Sequence, residues 1–524
     1  MEPCLPIHSL STEQQYAYRQ FEKGHNLFVT GPGGSGKTQL IRSLMDCCLN
    51  TKREFAVCAL TGCASVLLNM KAKTIHSWSG IKLARGDRDK IIQSVSKNRM
   101  AVKNWRKVQV LIIDEISMMS VKILELLETI ARRVRKNSLV FGGIQVVFTG
   151  DFYQLPPVGD LNDPSTCQFC FQSKTWKDIF PNASHSVVLK TIFRQTDPLY
   201  KTILNQIRVG ELSDENAVIL NQRVGLERQE NMTRLFPIKS KVETINQYNF
   251  EKIQEKEYSQ KIIVKTNCKV YIDTGMPILD DVLDQCNSMT SDDIEFEVQR
   301  LSSMIPTEEK VLLKKGALVM LTFNLSVEDG LCNGSQGIVV DFSEKRSITD
   351  KPGVLLQPIT LPVVQFTNGM VTEILPQVWQ SDEYPRICVA QFPLRLAWAL
   401  TIHKSQGATL ERAEVDVGFS IFEYGQTYVA LSRVKSLEGL YLSNFNPKRI
   451  KAHPLVKQFY KSLRVRDSSP DPVMEGQKPV MTTLVVAPVV AVPVNDIDET
   501  IPVARVVSDF SHFNYSGVVV RKLP

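Results

Sequence analysis

The sequence has no apolar run of the ~20 residues that a membrane-spanning helix needs. Its longest candidate, Leu484–Val494, is 11 residues long and is broken by Pro488 and Pro493. The start, MEPCLPIHSL, has no basic stretch leading into an apolar one and no arginine, so neither a secretory leader nor a transit peptide is expected. Cysteine is sparse: 11 in 524 residues, an odd number and scattered, which predicts reduced thiols rather than a disulfide framework. Cys167 and Cys170 form a lone CxxC without a second pair, which reads as a loop with two idle thiols rather than a zinc ribbon. These absences together predict an intracellular protein without a membrane partner.

Charge of one sign is also in short supply over the whole chain, at +7, but it is unevenly placed. Residues 467–524 hold 4 basic and 7 acidic residues, leaving 58 basic against 48 acidic before them. Between Lys71 and Lys107 stand 11 basic residues and only two acidic ones, Asp87 and Asp89. Alone, such a run is as readily a solvated face as a polyanion site; phosphate chemistry nearby would favour the second reading.

What is present is an ordinary globular composition, 43% hydrophobic and 22% charged, in a chain long enough for two to four domains. From Asn26 to Asp151 short apolar runs alternate with helical patterns. NLFVT, FAVCAL, VQVLIID and IQVVFTGD read as buried parallel strands, with helices at Thr38–Leu49 and Val121–Arg135 between them. That rhythm predicts an α/β sheet with ligands at the carboxyl ends of its strands. TRLFPI, GALVMLTF, AEVDVGF and GLYLSNF suggest a second unit of the same kind, with helices at Glu211–Arg223 and Lys241–Lys252. Between residues 333 and 394 the runs shorten to GIVVDF, GVLLQPIT, PVVQFTNG and RICVAQFPL, which predicts a small inserted β-barrel. After Arg466 the composition turns to Pro, Val and Ser, and a flexible tail is expected, with partner docking as the minor alternative.

GPGGSGKT follows the first strand and opens the first helix, the context a phosphate-binding loop requires. Gly31, Pro32, Gly33, Gly34, Ser35 and Gly36 would wrap main-chain N–H groups around phosphate oxygens. Lys37 would reach the β- and γ-phosphates, and Thr38 would offer its hydroxyl to Mg²⁺. VLIIDEIS ends a strand in two carboxylates: Asp114 suits the metal and Glu115 suits a general base for water. Gln154, in FTGDFYQLPPV, could sense the γ-phosphate, although a loop glutamine is usually just solvated. Arg194 in TIFRQTD and Arg433 in QTYVALSRVKS are candidates to offset transition-state charge, and together they would let ATP draw two units closed.

Taken together, GPGGSGKT, LIIDEIS, FGGIQVVFTGDFYQLPPV, FRQ, LTIHKSQGATL and YVALSRV resemble the Pif-type branch of superfamily-one DNA helicases, over about Leu10–Asn446. LLETIARRVRKNSLVFGGIQ looks like the signature segment of that branch. The resemblance implies two RecA-like motor domains, 1–190 and 191–332 with 395–466, a β-barrel inserted at 333–394, and a tail at 467–524. It implies ATP and Mg²⁺ bound between the motors, and 5′-to-3′ movement on single-stranded DNA in replication, repair or recombination. Gln14 resembles the adenine-reading glutamine, and Arg194 and Arg433 the arginine fingers. LTGCASVLL, with Thr61 and Gly62, TIHSWSG, with Thr74 and His76, and TIHKSQG, with His403, Lys404 and Ser405, resemble strand-contacting motifs. On that likeness the run 71–107 becomes a nucleic-acid face, with a duplex-splitting wedge about 81–107 and Trp78 either a base-stacking or a core residue. Single-stranded and forked DNA are the implied partners, with a protein partner for the tail, in the nucleus or at a site of viral DNA replication. Two rivals share these motifs: a translocase that strips proteins or hybrids without processive unwinding, and a non-enzymatic DNA-binding scaffold with a vestigial pocket.

Overall fold

The computed structural model describes residues 7–60, 72–227 except 83, 85 and 161, 232–265, 289–345 except 306, 327, 328 and 332, and 359–467 except 382, 383 and 385. Leu27–Thr30 (β1), Phe55–Ala59 (β2), Lys73–Thr74 (β3), Val110–Asp114 (β4), Gln145–Gly150 (β5) and Ser186–Val188 (β6) form one sheet in the order β3-β2-β4-β5-β1-β6. Every pairing in it is parallel. All residues of β1, β4 and β5 are buried, which is why these strands read as continuous apolar runs rather than alternating ones. Helices Thr12–Glu22 (α1) and Lys37–Asn50 (α2) cover one face through Phe21, Leu40 and Leu44. Ile75–Ser79 (α3), Arg88–Lys97 (α4), Arg99–Lys107 (α5) and Val121–Arg135 (α6) belong to the other face, where Phe28, Phe148, Leu124 and Leu127 meet.

Helix boundaries follow local chemistry. Ser11 caps α1, and Gln14 closes the box by accepting from the Ser11 N–H at 2.8 Å. Ser120 caps α6, Lys136 ends it in the left-handed region, and Arg132, Arg133 and Arg135 complement the dipole in its last turn.

After Pro198–Val209 (α7) and Asp214–Asn221 (α8) a second sheet begins with Arg234–Phe236 (β7), followed by the helix Lys239–Lys252 (α9). The chain then leaves for a set of antiparallel strands: Tyr258–Lys261 (β8), Ile263–Lys265 (β9), Lys310–Leu313 (β10), Leu318–Leu321 (β11), Gln336–Lys345 (β12), Ile359–Phe366 (β13), Val371–Glu373 (β14), Gln377–Gln380 (β15), Cys388–Gln391 (β16) and Leu394–Leu396 (β17). It returns with Ala399–Thr401 (β18), Ala413–Val417 (β19) and Leu440–Phe445 (β20), which complete the parallel order β18-β7-β19-β20. One expectation is revised here. GALVMLTF supplies β11, which pairs antiparallel with β12 and β17 instead of joining the second parallel sheet. The largest antiparallel sheet, β14-β13-β12-β11-β17, has no ladder between its two edge strands among the described residues.

The last described helix, Pro454–Asp467 (α11), follows β20 in sequence but packs elsewhere. Its Val456, Tyr460 and Leu463 are buried in the cluster of the first sheet, and Phe459 stacks on Phe171 at 4.4 Å. Cys47, Cys48, Cys58, Cys167 and Cys170 are free thiols, whereas Cys388 is disulfide-bonded, against the expectation of reduced cysteines throughout. No cluster of three His, Cys, Asp or Glu able to hold a metal occurs among the described residues, and no helix among them is long and apolar enough to cross a membrane. The expected tail lies outside the described residues.

Candidate nucleotide site and nucleic-acid face

The parallel register sets the carboxyl ends of β1, β4 and β5 side by side, with Thr30 beside Gly150. The segments that leave those ends carry the chemistry. GPGGSGKT leaves β1 and enters α2, and three of its glycines have left-handed or crowded backbones. A Cβ on Gly34 would lie 2.5 Å from the Arg194 Cβ, and one on Gly36 would lie 2.6 Å from the Gln14 amide nitrogen. The loop is glycine-rich because the segment 189–194 and the start of α1 press on its back. Leu189 N–H donates to Thr30 O at 2.7 Å and Phe193 N–H to Gly34 O at 2.8 Å, which ties that segment along the loop.

Lys37 at the head of α2 donates to the carbonyls of Gly31 at 2.8 Å and Pro32 at 3.0 Å. Burial holds its ammonium below the usual lysine range, against the opposing pull of Asp151, Glu115 and Asp114. Asp114 accepts from the Thr149 hydroxyl and, at 2.9 Å, from the Glu115 N–H; burial nevertheless raises its pKa. Burial, then the neighbouring Asp114, pushes Glu115 up to about 7. Thr38, Asp114, Glu115, Gln154, Arg194 and Arg433 all line one cleft of about 1300 Å³.

The second unit reaches across that cleft. Arg194 donates to Ser432 O at 3.2 Å, and Arg433, only 2% exposed, donates to Val429 O and to the Ser432 hydroxyl, both at 2.9 Å. Burial and then Arg194 push the Arg433 guanidinium down to about 9. A Cβ on Gly33 would sit 3.5 Å from Arg194 and 3.6 Å from Arg433, so both cations crowd the phosphate loop. Tyr428, on Gln426–Leu431 (α10), accepts the Gly33 N–H at 2.8 Å. Gln14 donates to Gly36 O at 3.0 Å, which places it against the loop.

Gln406 and the Arg208–Asp151 pair lie outside the expected set. Gln406 reaches from the second unit to donate to Glu115 at 3.2 Å. Asp151, fully buried, is bridged in bidentate fashion by Arg208 of α7 at 2.8 Å for each bond. Motif context could have raised Gln406, since it sits inside TIHKSQG; Arg208 is joined to Asp151 only by the fold.

The same comparison sorts the strand-contact candidates. Thr61 and Gly62 lie outside the described residues. Thr74 caps α3 by accepting the Ser77 N–H at 3.2 Å, and burial lowers the pKa of His76 beside it. Trp78 is core, buried to 7% exposure and packed edge-on against Trp105 at 4.8 Å. Ala399–Thr401 delivers the turn His403–Ser405, where Ser405 is buried and donates to Ile402 O at 2.8 Å. The Lys404 N–H donates to the Thr401 hydroxyl at 3.2 Å, and the His403 ring faces exposed Phe422 with centroids 6.4 Å apart. Lys97, Arg99, Lys103 and Arg106 lie exposed on α4 and α5.

A model for PIF1-like helicases matches residues 9–230, and one for the 2B domain of DNA helicase Pif1 matches residues 298–342. The Pif1 ATP-dependent DNA helicase of Bdellovibrio bacteriovorus is 32% identical over 87% of this chain and 93% of its own length. The chain belongs to the PIF1-like helicase family. The PIF1 helicase of Xenopus laevis is 34% identical, and this PIF1-like chain spans 64% of that relative's length. Among solved structures, Pif1 helicase from Candida albicans superposes with a TM-score of 0.66 at 32% identity, covering 87% of this chain and 99% of the other. Bacteroides Pif1 in complex with ADP-AlF4 gives 0.65 at 27% identity, covering 87% and 97%. Two RecA-like domains with parallel sheets are thus the architecture of this PIF1-like chain.

Proposed function

We propose that this chain is an ATP-dependent DNA helicase that moves 5′ to 3′ on single-stranded DNA and unwinds the duplex ahead. The observation that carries the reading is the convergence of Lys37, Asp114 and Glu115 from the first domain with Arg194 and Arg433 on a single cleft. A triphosphate offered there gives Lys37 a stronger acceptor than the two carbonyls it now holds, and gives both guanidiniums an anion to share. Glu115 takes the proton from the attacking water, while Gln154 sets that water's orientation. Thr38 and Asp114 offer hydroxyl and carboxylate oxygens on the same cleft wall, a hard donor set that fits Mg²⁺. Bound there, the ion would neutralise phosphate charge.

Because Gln406 touches Glu115 and sits in the same turn as His403, Lys404 and Ser405, a strand lying on that turn is coupled to the base. Alternating grip by that turn and by the Thr74–His76 region would convert opening and closing of the cleft into travel. In this reading residues 7–190 form the first motor domain and 191–257 with 397–446 the second, the antiparallel strands between them forming an insertion. Related Bacteroides Pif1 structures hold single-stranded DNA, which supports the choice of polymer. The scaffold alternative is disfavoured because every group that hydrolysis needs is present and convergent.

The test is ATP turnover with and without an oligonucleotide, followed by unwinding of duplexes carrying a 5′ or a 3′ tail. Stimulated turnover and unwinding of the 5′-tailed substrate alone are expected. Turnover indifferent to DNA sinks the motor reading. Stimulated turnover without strand separation leaves the translocase.

A further inference from the structure

The Arg208–Asp151 bridge is unlike the two guanidiniums that line the cleft. Asp151 directly follows β5 and opens the sensor turn, and both of its carboxylate oxygens are hydrogen-bonded. It accepts Arg208 Nε on one oxygen and Arg208 Nη2 on the other, each at 2.8 Å, and the second oxygen also accepts the Tyr153 N–H and the Tyr460 hydroxyl, both at 3.2 Å. The Asp151 carbonyl accepts the Gln154 N–H at 2.9 Å. Side chain and carbonyl of one residue therefore fold the turn that carries Gln154.

Arg208 belongs to α7, beyond the linker into the second domain, and lies over the rings of Tyr153 at 4.6 Å and Tyr460 at 5.3 Å. Tyr460 in turn meets the Thr30 hydroxyl at 2.5 Å, one residue before the phosphate loop, and accepts the Phe152 N–H at 3.2 Å. On the other side of the turn, Gly425 comes so close that a Cβ there would lie 2.4 Å from Tyr153 O and 2.7 Å from Gln154 O. The amide oxygen of Gln154 is buried without a hydrogen-bond partner, so its orientation is set by the backbone turn rather than by a bond of its own.

We propose that Arg208 is a positioning residue: from the second domain it clamps the Asp151 turn and so fixes where the Gln154 amide stands in the cleft. Arg194 and Arg433 are placed to answer the nucleotide, whereas Arg208 spends its Nε and Nη2 on a protein carboxylate outside the cleft lining. It is the fixed point of the junction, and it transmits second-domain position to the water-orienting amide. A planar fork is needed for this, since two parallel bonds hold a carboxylate against rotation where a single ammonium cannot.

The inference rests on the ATP-hydrolysis reading, and the wild-type chain tests that separately: absent DNA-stimulated turnover is a failure of the reading, not of this proposal. With the full chain, saturating oligothymidylate and ATP, Arg208→Gln should lower kcat roughly 10–100-fold, as a small displacement of a catalytic group does. KM for ATP and the affinity for a fluorescent ADP analogue should stay within about threefold. Arg208→Lys should recover only part of kcat, because it restores charge without the fork. Glu211→Ala, which breaks the exposed Lys457–Glu211 pair, is the surface control. If Arg208→Gln folds poorly, Asp151→Asn with Arg208→Gln removes both buried charges together. A recovered melting temperature with kcat still low supports positioning. Recovery of kcat along with stability, an undiminished kcat in Arg208→Gln, or equal loss of kcat and nucleotide affinity overturns it.

Discussion

Glu115 sits at φ 54° and ψ 44°, a left-handed conformation that a residue other than glycine adopts at some cost. The turn is needed because β4 must end with Asp114 hydrogen-bonded to Thr149 while the next carboxylate swings into the cleft. Burial there favours the protonated acid, with a pKa of about 7, so single-turnover hydrolysis should rise with pH through about 7 and then level. A turnover rate flat from pH 5.5 to 8.5 would remove Glu115 from the role of base. The same shift bears on stability. Its folded pKa is raised, so the group costs nothing below its unfolded value and progressively destabilises the fold as pH rises towards 7. Glu115→Gln should therefore abolish turnover, keep ATP binding, and melt at a higher temperature than wild type at pH 8. The gain is on the order of 1–3 kcal/mol, and it should vanish near pH 4. Lys37→Ala, by contrast, should weaken ATP binding itself, read by titration with a fluorescent analogue.

At the scale of elements, α4 and α5 present Lys97, Arg99, Lys103 and Arg106 outwards while Ile92, Val95, Ala101 and Trp105 hold them on the first domain. Arg135 fastens the end of α5, donating to the carbonyls of Trp105 at 2.9 Å, Arg106 at 3.1 Å and Val108 at 2.9 Å. Reversing the charge of several of the four basic residues should weaken oligonucleotide binding and make its dependence on salt shallower. An unchanged salt slope returns them to a solvated surface. Phosphate loop, strand-end carboxylates and helix α6 were legible in the sequence because each is written in consecutive residues: β1 to α2, VLIIDE, and a stripe capped by Ser120. Gln406, Tyr428, Tyr460 and the Arg208–Asp151 bridge were not, since their partners lie tens to hundreds of positions away and only packing unites them. Trp78 was undecidable for a related reason: an aromatic residue in a polar motif is core or contact according to whether something like Trp105 covers it. GALVMLTF does not declare its sheet, because a fully apolar strand looks the same in parallel and antiparallel sheets.

At the scale of the molecule, the two domains are joined by, among other contacts, the segment 189–194 along the phosphate loop, Tyr428 on Gly33, Gln406 on Glu115, Arg208 on Asp151, and α11 laid back into the first domain. Through Thr30 and Tyr460 the last of these touches the root of the phosphate loop. Tyr460→Ala removes a buried ring and its hydroxyl from that junction and should cost roughly 3–5 kcal/mol by denaturant titration. A loss under about 1 kcal/mol would mean that α11 only rests on the surface. Because Val456, Phe459, Tyr460 and Leu463 complete a core begun by residues 28–180, a ribosome making this chain releases its first lobe with an open seam of aromatic side chains. That seam is sealed only after the second lobe has been synthesised. The nascent protein thus cannot finish its nucleotide pocket early, and half-made chains should be clients of chaperones rather than stray ATPases.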